Sequence, residues 1–482
     1  MSKVLLINPP FNVNKENYDS SISVGLLSIG SYLDSHNINV NIIDGIRQKD
    51  YLELIEKKIK DCDYAGISVM TTQIPQALNI CRLIREINPN CKIIWGGAHP
   101  SLFIKQTANH SLVDVSVFGE GEITMNHIAD NKPLPEIKGI AYKENNKVII
   151  NNPQKLHNPA ETPLFNWDLM SKEILENLYL IPSLTSRGCP HRCAFCINAI
   201  LKNRWRPRTA EQVLKDLEII ENKRYFKGKK LRFWDENFFV DIKRAKDIIN
   251  GIIERDLIIP WETTVRANYL RERMINRNFL KKLKESGCYL LSFGAESGCP
   301  RILKKIKKDI MPEDVINSAK LCLKYDIIPQ YSFMVGLPGE KRSEIMETLK
   351  LIDKLVKLSD KVQILGPQAF RPYPGSELYQ ECLRAGWEEP KTLDKWEETV
   401  KNELNYLNVQ NFPWLDDPDF VESLEAYVRF GAHSIKSALG STIKATKFLK
   451  LPFVLLCKLR WKLKFFWFPW DYKLAKRFVT KI

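Results

Sequence analysis

Short apolar runs alternate with amphipathic stretches along the first 125 or so residues. KVLLIN (3–8), VNIID (40–44), YAGISV (64–69), KIIWGG (92–97) and DVSVFGEGE (114–122) read as strands. Helical spacing separates them over 24–36, 50–60 and 74–87. Strands and helices alternating in this way predict a doubly wound parallel sheet. Such sheets bind ligands at the carboxyl ends of their strands. Those ends carry Asn8 and Pro9; Ser68, Thr71 and Thr72; Gly96, Gly97 and His99; and Gly119, Glu120 and Gly121. Glycine at a strand tip lets backbone approach a bulky ligand, although each tip alone also reads as an ordinary turn. No G-x-G-x-x-G follows the first strand, so a dinucleotide is not indicated.

A hairpin-like piece, KGIAYKENNKVII, and a Pro-rich connector lead to a second alternation. Strands are predicted at 179–186, 230–235, 259–266, 288–294, 328–335 and 362–369, with amphipathic helices such as EQVLKDLEIIENK and PEDVINSAKLCLKY between them. Six repeats suggest an incomplete α/β barrel, three-quarters of the eightfold version, with its chemistry at the carboxyl ends of the strands. The predicted division is 1–140, a 141–177 linker and hairpin, a 178–385 partial barrel, a helical 386–440 region and a 441–482 tail.

The chain has 482 residues, 44% of them apolar and 27% charged, an ordinary globular balance. Eleven cysteines without paired spacings, and no signal-peptide pattern, argue against a disulfide framework and for a reducing cytoplasm. The formal charge of +15 is not a nucleic-acid signal, because +10 of it falls in the last 41 residues. No uncharged run is long enough to span a bilayer.

The chemistry concentrates in SLTSRGCPHRCAFC, directly after the first barrel strand. Cys189, Cys193 and Cys196 have C-x3-C-x2-C spacing with no fourth cysteine nearby. Three thiolates can hold a cubane iron–sulfur cluster and leave one iron open, whereas an electron-transfer cluster normally takes four. The competing reading is a Cys3His zinc site completed by His191, although structural zinc sites usually join two separated ligand pairs.

With GCPHRCAFC followed by RWRPRTAEQVLKDL, FWDENFF, FGAESG, FMVGLPGE and PYPGSELY, and preceded by NPP, GLLSIGSYL, GISVMTTQ, GGAHPS and GEGE, the chain resembles the cobalamin-binding radical S-adenosylmethionine enzymes over about residues 1–385. The resemblance implies a cobalamin-binding, flavodoxin-like first domain and an incomplete (β/α)6 barrel before a mainly helical C-terminal region. It implies a [4Fe–4S] cluster on the three cysteines, with S-adenosylmethionine on the open iron. Phe195 would lie near the adenine; Asp235, Glu236, Arg266 and Glu296 would hold charged and hydroxyl groups of the nucleoside; Gly336 would let backbone approach the adenine. For each of these, a structural salt bridge or packing role is the alternative.

One departure concerns cobalamin. Modules that supply an axial histidine use D-x-H-x-x-G, and here the stretch is Asp44-Gly45-Ile46-Arg47-Gln48-Lys49. Cobalamin without a histidine from this loop is expected, or its loss; His99 would touch the cofactor's periphery. The implied activity is methylation of an unactivated carbon, drawing electrons from a flavodoxin- or ferredoxin-like donor. The alternatives are cyclisation, rearrangement or oxidation with the same cofactors, or a non-catalytic binding protein. A methylthiotransferase acting on RNA lacks its second cluster cysteines here. No catalytic residue can be named; Tyr331, Cys288 and Cys299 stand equal as candidates and as buried packing.

The 441–482 tail combines eleven Lys/Arg and ten aromatics with one acid, Asp471. On a helix, Leu455, Leu456, Leu459, Leu463 and Phe466 form one apolar face flanked by Lys458, Lys462, Arg460 and Lys464, with Trp461 opposite. That layout suits an interfacial helix, and with it a peripheral contact at the inner face of a membrane and a lipid-like substrate. An amphipathic strand, or an element packed on the barrel with a basic rim, are the other readings.

Overall fold

The computed structural model describes residues 2–11, 22–257, 259–402, 409–433 and 447–478. It divides the chain into two compact units. The first comprises Met1–Gly188, Leu201–Trp234 and Glu389–Leu407; the second comprises Cys189–Ile200, Asp235–Glu388 and Asn408–Ile482.

In the first unit, β1 (Lys3–Asn8), β2 (Asn39–Asp44), β3 (Tyr64–Ser68), β4 (Lys92–Gly96), β5 (Val115–Val117), β6 (Ile140–Glu144) and β7 (Lys147–Ile150) form one sheet ordered β2-β1-β3-β4-β5-β6-β7. The apolar runs of β1, β3 and β4 are buried on both faces, as parallel strands covered by helices require. The helix Val24–Ser35 starts where the Ser23 side chain accepts the Leu26 N–H at 3.4 Å, and it buries Leu26, Leu27 and Leu33. Strand order reverses direction between β1 and β3, placing Asn8 and Ser68 at the switch point where open α/β sheets form their crevice.

Two details correct the sequence reading. The sheet is not wholly parallel, because β6 and β7 extend it antiparallel. Asn145 and Asn146, both left-handed at φ 49° and 63°, make the two-residue turn that asparagine tolerates. The fifth strand also ends at Val117, ahead of the left-handed Gly119 (φ 80°) and a helix beginning at Glu122.

All six expected barrel strands are present. In the first unit, β8 (Leu180–Ser183) pairs parallel with β11 (Lys230–Phe233), while the short β9 (Ser186–Arg187) and β10 (Arg206–Pro207) pair antiparallel. In the second, β12 (Trp261–Val265), β13 (Cys288–Glu296), β14 (Ile328–Val335) and β15 (Gln363–Ala369) pair parallel in chain order. Helices Arg277–Glu285, Pro312–Lys324 and Arg342–Val356 fall between them. Phe293 stacks on Tyr331 at 5.0 Å, and the Tyr331 hydroxyl lies 2.7 Å from that of Ser318. Tyr331, Cys288 and Cys299 are thus all buried core side chains.

The second unit ends in helices Pro418–Tyr427, Lys447–Leu463 and Trp470–Phe478, with a π-helical turn at Val428–Ala432. The tail is two helices joined by a non-helical turn over 464–469; its residues 441–446 and 479–482 lie outside the described residues. Its expected layout is corrected at two positions: Phe466 is buried rather than outward, and Arg460, expected to flank the apolar face, is buried against Asp471. No helix among the described residues is long and apolar enough to cross a membrane.

Candidate functional site

The cysteine loop is shaped by a glycine on one side and by two cations on the other. Gly188 is left-handed (φ 79°), and a β-carbon there would collide with the carbonyls of Asn203 and Arg204. Only glycine can enter the loop this way. Beyond it, the Ala194 N–H donates to the Ile306 carbonyl at 2.9 Å, and the Cys196 N–H to that of Cys193 at 3.0 Å. Cys193 is buried while Cys189 and Cys196 are half-buried. Burial pushes the Cys189 and Cys196 thiols above the ordinary value, and the proximity of the other thiols adds to it. Arg266, just past the end of β12, brings Nη1 to 4.0 Å from the Cys193 sulfur and donates through Nη2 to the Lys308 carbonyl. Lys308 Nζ lies 2.7 Å from Glu296 Oε1 and 6.0 Å from the Phe195 ring centre.

These contacts decide between the two readings of the loop. His191, the fourth ligand that zinc would need, has its Nε2 2.8 Å from the Tyr269 hydroxyl. Its pKa is lowered to about 4, first by burial and then by the charges of Arg266 and Lys308. Among the described residues no three such side chains converge at single-ion distance. A cubane asks something different, since each thiolate binds a separate iron. Three thiols on one loop, beside two cations able to offset an anionic centre, therefore fit an iron–sulfur cluster.

The expected nucleoside contacts divide into two groups. Phe195, Arg266 and Glu296 lie with the cysteines. Glu296 is itself left-handed at φ 63°, a conformation costly for a residue with a side chain and one that collects at functional sites. Gly294 leaves the space its side chain uses, because a β-carbon there would meet Glu296 Oε1 and Lys308 Nζ. Asp235 is buried, with its carbonyl accepting the Thr264 hydroxyl at 2.7 Å, and Glu236 is exposed. Gly336 stands apart: a β-carbon there would meet Leu415 and Val421 at 3.2 and 3.0 Å, and its carbonyl accepts Trp414 Nε1 at 2.9 Å. Packing against the C-terminal helices accounts for that glycine. Lys308 was missed in the sequence, where KKIKKD looks like the solvated end of a helix; nothing in the run marks one lysine as nine-tenths enclosed.

In the first unit, the strand tips form a polar edge that is in large part already bonded. Asn8 donates to Asp44 Oδ1 at 3.0 Å and accepts from Gln73 Nε2 at 3.1 Å, while Gln73 also donates to the Pro9 carbonyl. Asp44 caps its own loop by accepting the Ile46 N–H, so the aspartate of the motif acts without its histidine. Glu120 accepts from Arg206 at 2.6 Å, and Glu122 from Arg187 at 2.5 Å and from Ser28 at 2.7 Å. Burial alone would raise both carboxyls, but His157 and Arg206 hold Glu120, and Arg187 holds Glu122, below the ordinary range. Open space is found at one glycine of this edge, and one buried ring nitrogen lacks a partner. Gly119 has nothing within 4 Å of its β-position, and Gly97 (φ 99°) approaches the Val69 backbone too closely for a side chain. Ser68 and Thr72 are half-buried beside them. His99 is fully buried, with Nδ1 3.1 Å from the Thr71 hydroxyl and Nε2 without a partner. Phe103 and Trp396 cover its ring at 5.0 and 5.5 Å, and burial lowers its pKa to about 3. The open space at Gly119, on an edge of polar strand ends, fits a large polar cofactor such as cobalamin.

Comparison with known proteins agrees with both halves. Residues 18–129 match the model of the B12 binding domain, and residues 183–352 that of the radical SAM superfamily. An uncharacterized methyltransferase of Pyrococcus horikoshii is 32% identical over 412 residues, covering 81% of this chain and 87% of the relative. The fold is also that of the radical S-adenosylmethionine methyltransferase TsrM from Kitasatospora setae, with TM-score 0.67, 16% identity and 83% of each chain covered. The cobalamin-dependent radical enzyme OxsB superposes with TM-score 0.64 and 22% identity over 84% of this chain, which spans only 56% of that longer protein. The two domains imply a [4Fe–4S] cluster, S-adenosylmethionine and cobalamin as cofactors, and the chain belongs to the cobalamin-dependent radical S-adenosylmethionine enzymes.

Proposed function

We propose that this protein methylates an unactivated carbon of a small molecule, using cobalamin as the methyl carrier. The observation that carries the reading is the three-thiol loop with His191 withheld from it and Arg266 and Lys308 beside it. Its pairing with a B12 binding domain, and a 32%-identical relative named as a methyltransferase, support methyl transfer in particular. Bound together, the three cofactors supply reductive cleavage of a sulfonium, hydrogen abstraction from carbon and a transferable methyl group.

The chain's own part is to hold and to orient. Cys189, Cys193 and Cys196 would bind three irons. The Arg266 guanidinium offsets their charge and ties the loop to the Lys308 carbonyl. Lys308, with three donors, would take a carboxylate of the nucleoside ligand, and Glu296 would accept from its hydroxyls or amine. Phe195 gives the site an apolar wall. In the first unit, Ser68, Thr71, Thr72 and the glycines at 96, 97, 119 and 121 would border cobalamin, with Asn8, Pro9 and Glu120 fixing the edge behind them. A flavodoxin- or ferredoxin-like protein would deliver the electrons. A lipid-like substrate is the finer reading, supported by the exposed apolar side chains of the C-terminal helices.

The test is anaerobic incubation of the reconstituted protein with S-adenosylmethionine, a reductant and an extract of small molecules and lipids. Formation of 5′-deoxyadenosine together with a product heavier by one methyl group is expected. 5′-Deoxyadenosine with a product of unchanged carbon count would instead assign cyclisation, rearrangement or oxidation.

A further inference from the structure

The helix Lys447–Leu463 turns the wrong way for a simple amphipathic helix on a protein core. Val454, Cys457 and Trp461 face inward. The Cys457 carbonyl approaches Gly431 so closely that a β-carbon there would stand 2.6 Å away. Trp461 Nε1 donates to Asp353 at 3.0 Å. The other face keeps Leu451, Leu455, Leu459 and Leu463 exposed at i, i+4 spacing, reaching 63% at Leu463, with the exposed Lys462 among them. Beyond the helix, Phe465, Phe468, Trp470 and Leu474 are exposed as well. A contiguous apolar surface of this kind marks an interaction site.

The display of the aromatics is built in. Phe468 is 78% exposed and left-handed at φ 49°. A bulky residue adopts that backbone only where its surroundings impose it. Here Arg460 imposes it, donating to the Trp467 carbonyl at 2.8 Å and the Phe468 carbonyl at 2.9 Å, with a longer contact to that of Phe465. Arg460 is itself fixed by Asp471 at 2.8 Å, which also accepts the Tyr427 hydroxyl at 2.7 Å. Asp471 is the only acid in the sequence between 447 and 478, against nine Lys and Arg, and it is 3% exposed. Lys464, Lys473 and Lys476 pair with Asp353, Asp419 and Glu422 of other elements, so the basic excess of the segment with its partners is five.

We propose that this face, the leucine stripe continued by Phe465, Phe468, Trp470 and Leu474, docks onto an anionic phospholipid bilayer. Leucines and aromatics enter the headgroup boundary, and lysine among them reaches back to phosphate. A second copy of the chain is the poorer occupant, because the basic excess left after these pairs would meet its like. The proposal concerns binding alone, so it stands or falls separately from methyl transfer.

Flotation of the full chain with vesicles tests it. Binding is expected to phosphatidylcholine vesicles containing phosphatidylglycerol, to weaken as salt rises, and to be slight with phosphatidylcholine alone. The variant Leu455→Gln/Leu459→Gln/Phe468→Asn should bind roughly tenfold more weakly or worse, from the apolar surface removed. Its melting temperature should not fall, since the side chains are exposed and asparagine accepts the left-handed backbone. The proposal is overturned if the native chain binds neither vesicle, or if the variant binds as well as the native chain. A dimer of the native chain that the same substitutions dissociate also overturns it, in favour of a second copy.

Discussion

Glu340, in the loop after β14, accepts the N–H groups of Gly336 and Leu337 through one oxygen, while the other is buried without a partner. Burial raises its pKa from 4.5 to about 7. The folded state therefore holds a proton that the unfolded chain has released. Stability from this group is complete below pH 4.5 and is lost as pH rises through about 7. Glu340→Gln should remove that loss, by up to about 3 kcal/mol. Thermal melts would show the variant gaining on the native protein more at pH 8 than at pH 5. Lys308 supports a second expectation at this scale. Lys308→Met should weaken S-adenosylmethionine binding by roughly 10- to 100-fold, the worth of a charge-assisted hydrogen bond. Iron and sulfide content should not change, as equilibrium dialysis beside metal analysis would establish. Gly294→Ala should copy the binding defect, because its β-carbon would intrude on Glu296 and Lys308.

At the scale of elements, the loop GEGE read as a ligand-binding tip, yet its carboxylates serve Arg206 and Arg187. The strand tip and its residue types were legible in the sequence, but the partners were not. Arg187 and Arg206 stand more than sixty residues away, and no local spacing announces such pairs. Arg187→Met should leave Glu122 charged and buried without its counter-ion, at a cost of about 3–5 kcal/mol. Adding Glu122→Gln should recover most of it, a cycle that denaturant titration of the cofactor-free protein would measure. The cysteine loop shows the reverse situation. Its three ligands are local, so spacing alone exposed them, whereas Arg266 and Lys308 reach it from β12 and from beyond β13. The six barrel strands were legible because each is a short apolar run, and the antiparallel β6 and β7 were seen as a hairpin without their place in the sheet. Phe466 was misplaced because the chain leaves the helix at Lys464, itself left-handed at φ 53°, and the helical projection no longer applies.

For the whole molecule, cobalamin is the group whose coordination the chain constrains most. Ile46 stands where an axial histidine would be, and His99 is enclosed by Phe103 and Trp396. The expectation is cobalamin without a nitrogen ligand from the protein. Electron paramagnetic resonance of the cob(II)alamin state should lack nitrogen superhyperfine splitting, and His99→Phe should leave the spectrum unchanged. Splitting that disappears in the variant would make His99 the ligand.

The Arg460–Asp471 lock has a further consequence, in the order of events during synthesis. Cys189 leaves the ribosome roughly 280 residues before Asp471, an interval of about 15–60 s at ordinary translation rates. Tyr427 and Arg460 are themselves made only within its last 44 residues, and until Asp471 follows they lack the carboxylate that completes their packing. The three thiols are thus made long before the body that carries them is finished. Cluster delivery has a window on the nascent chain, and so does oxygen.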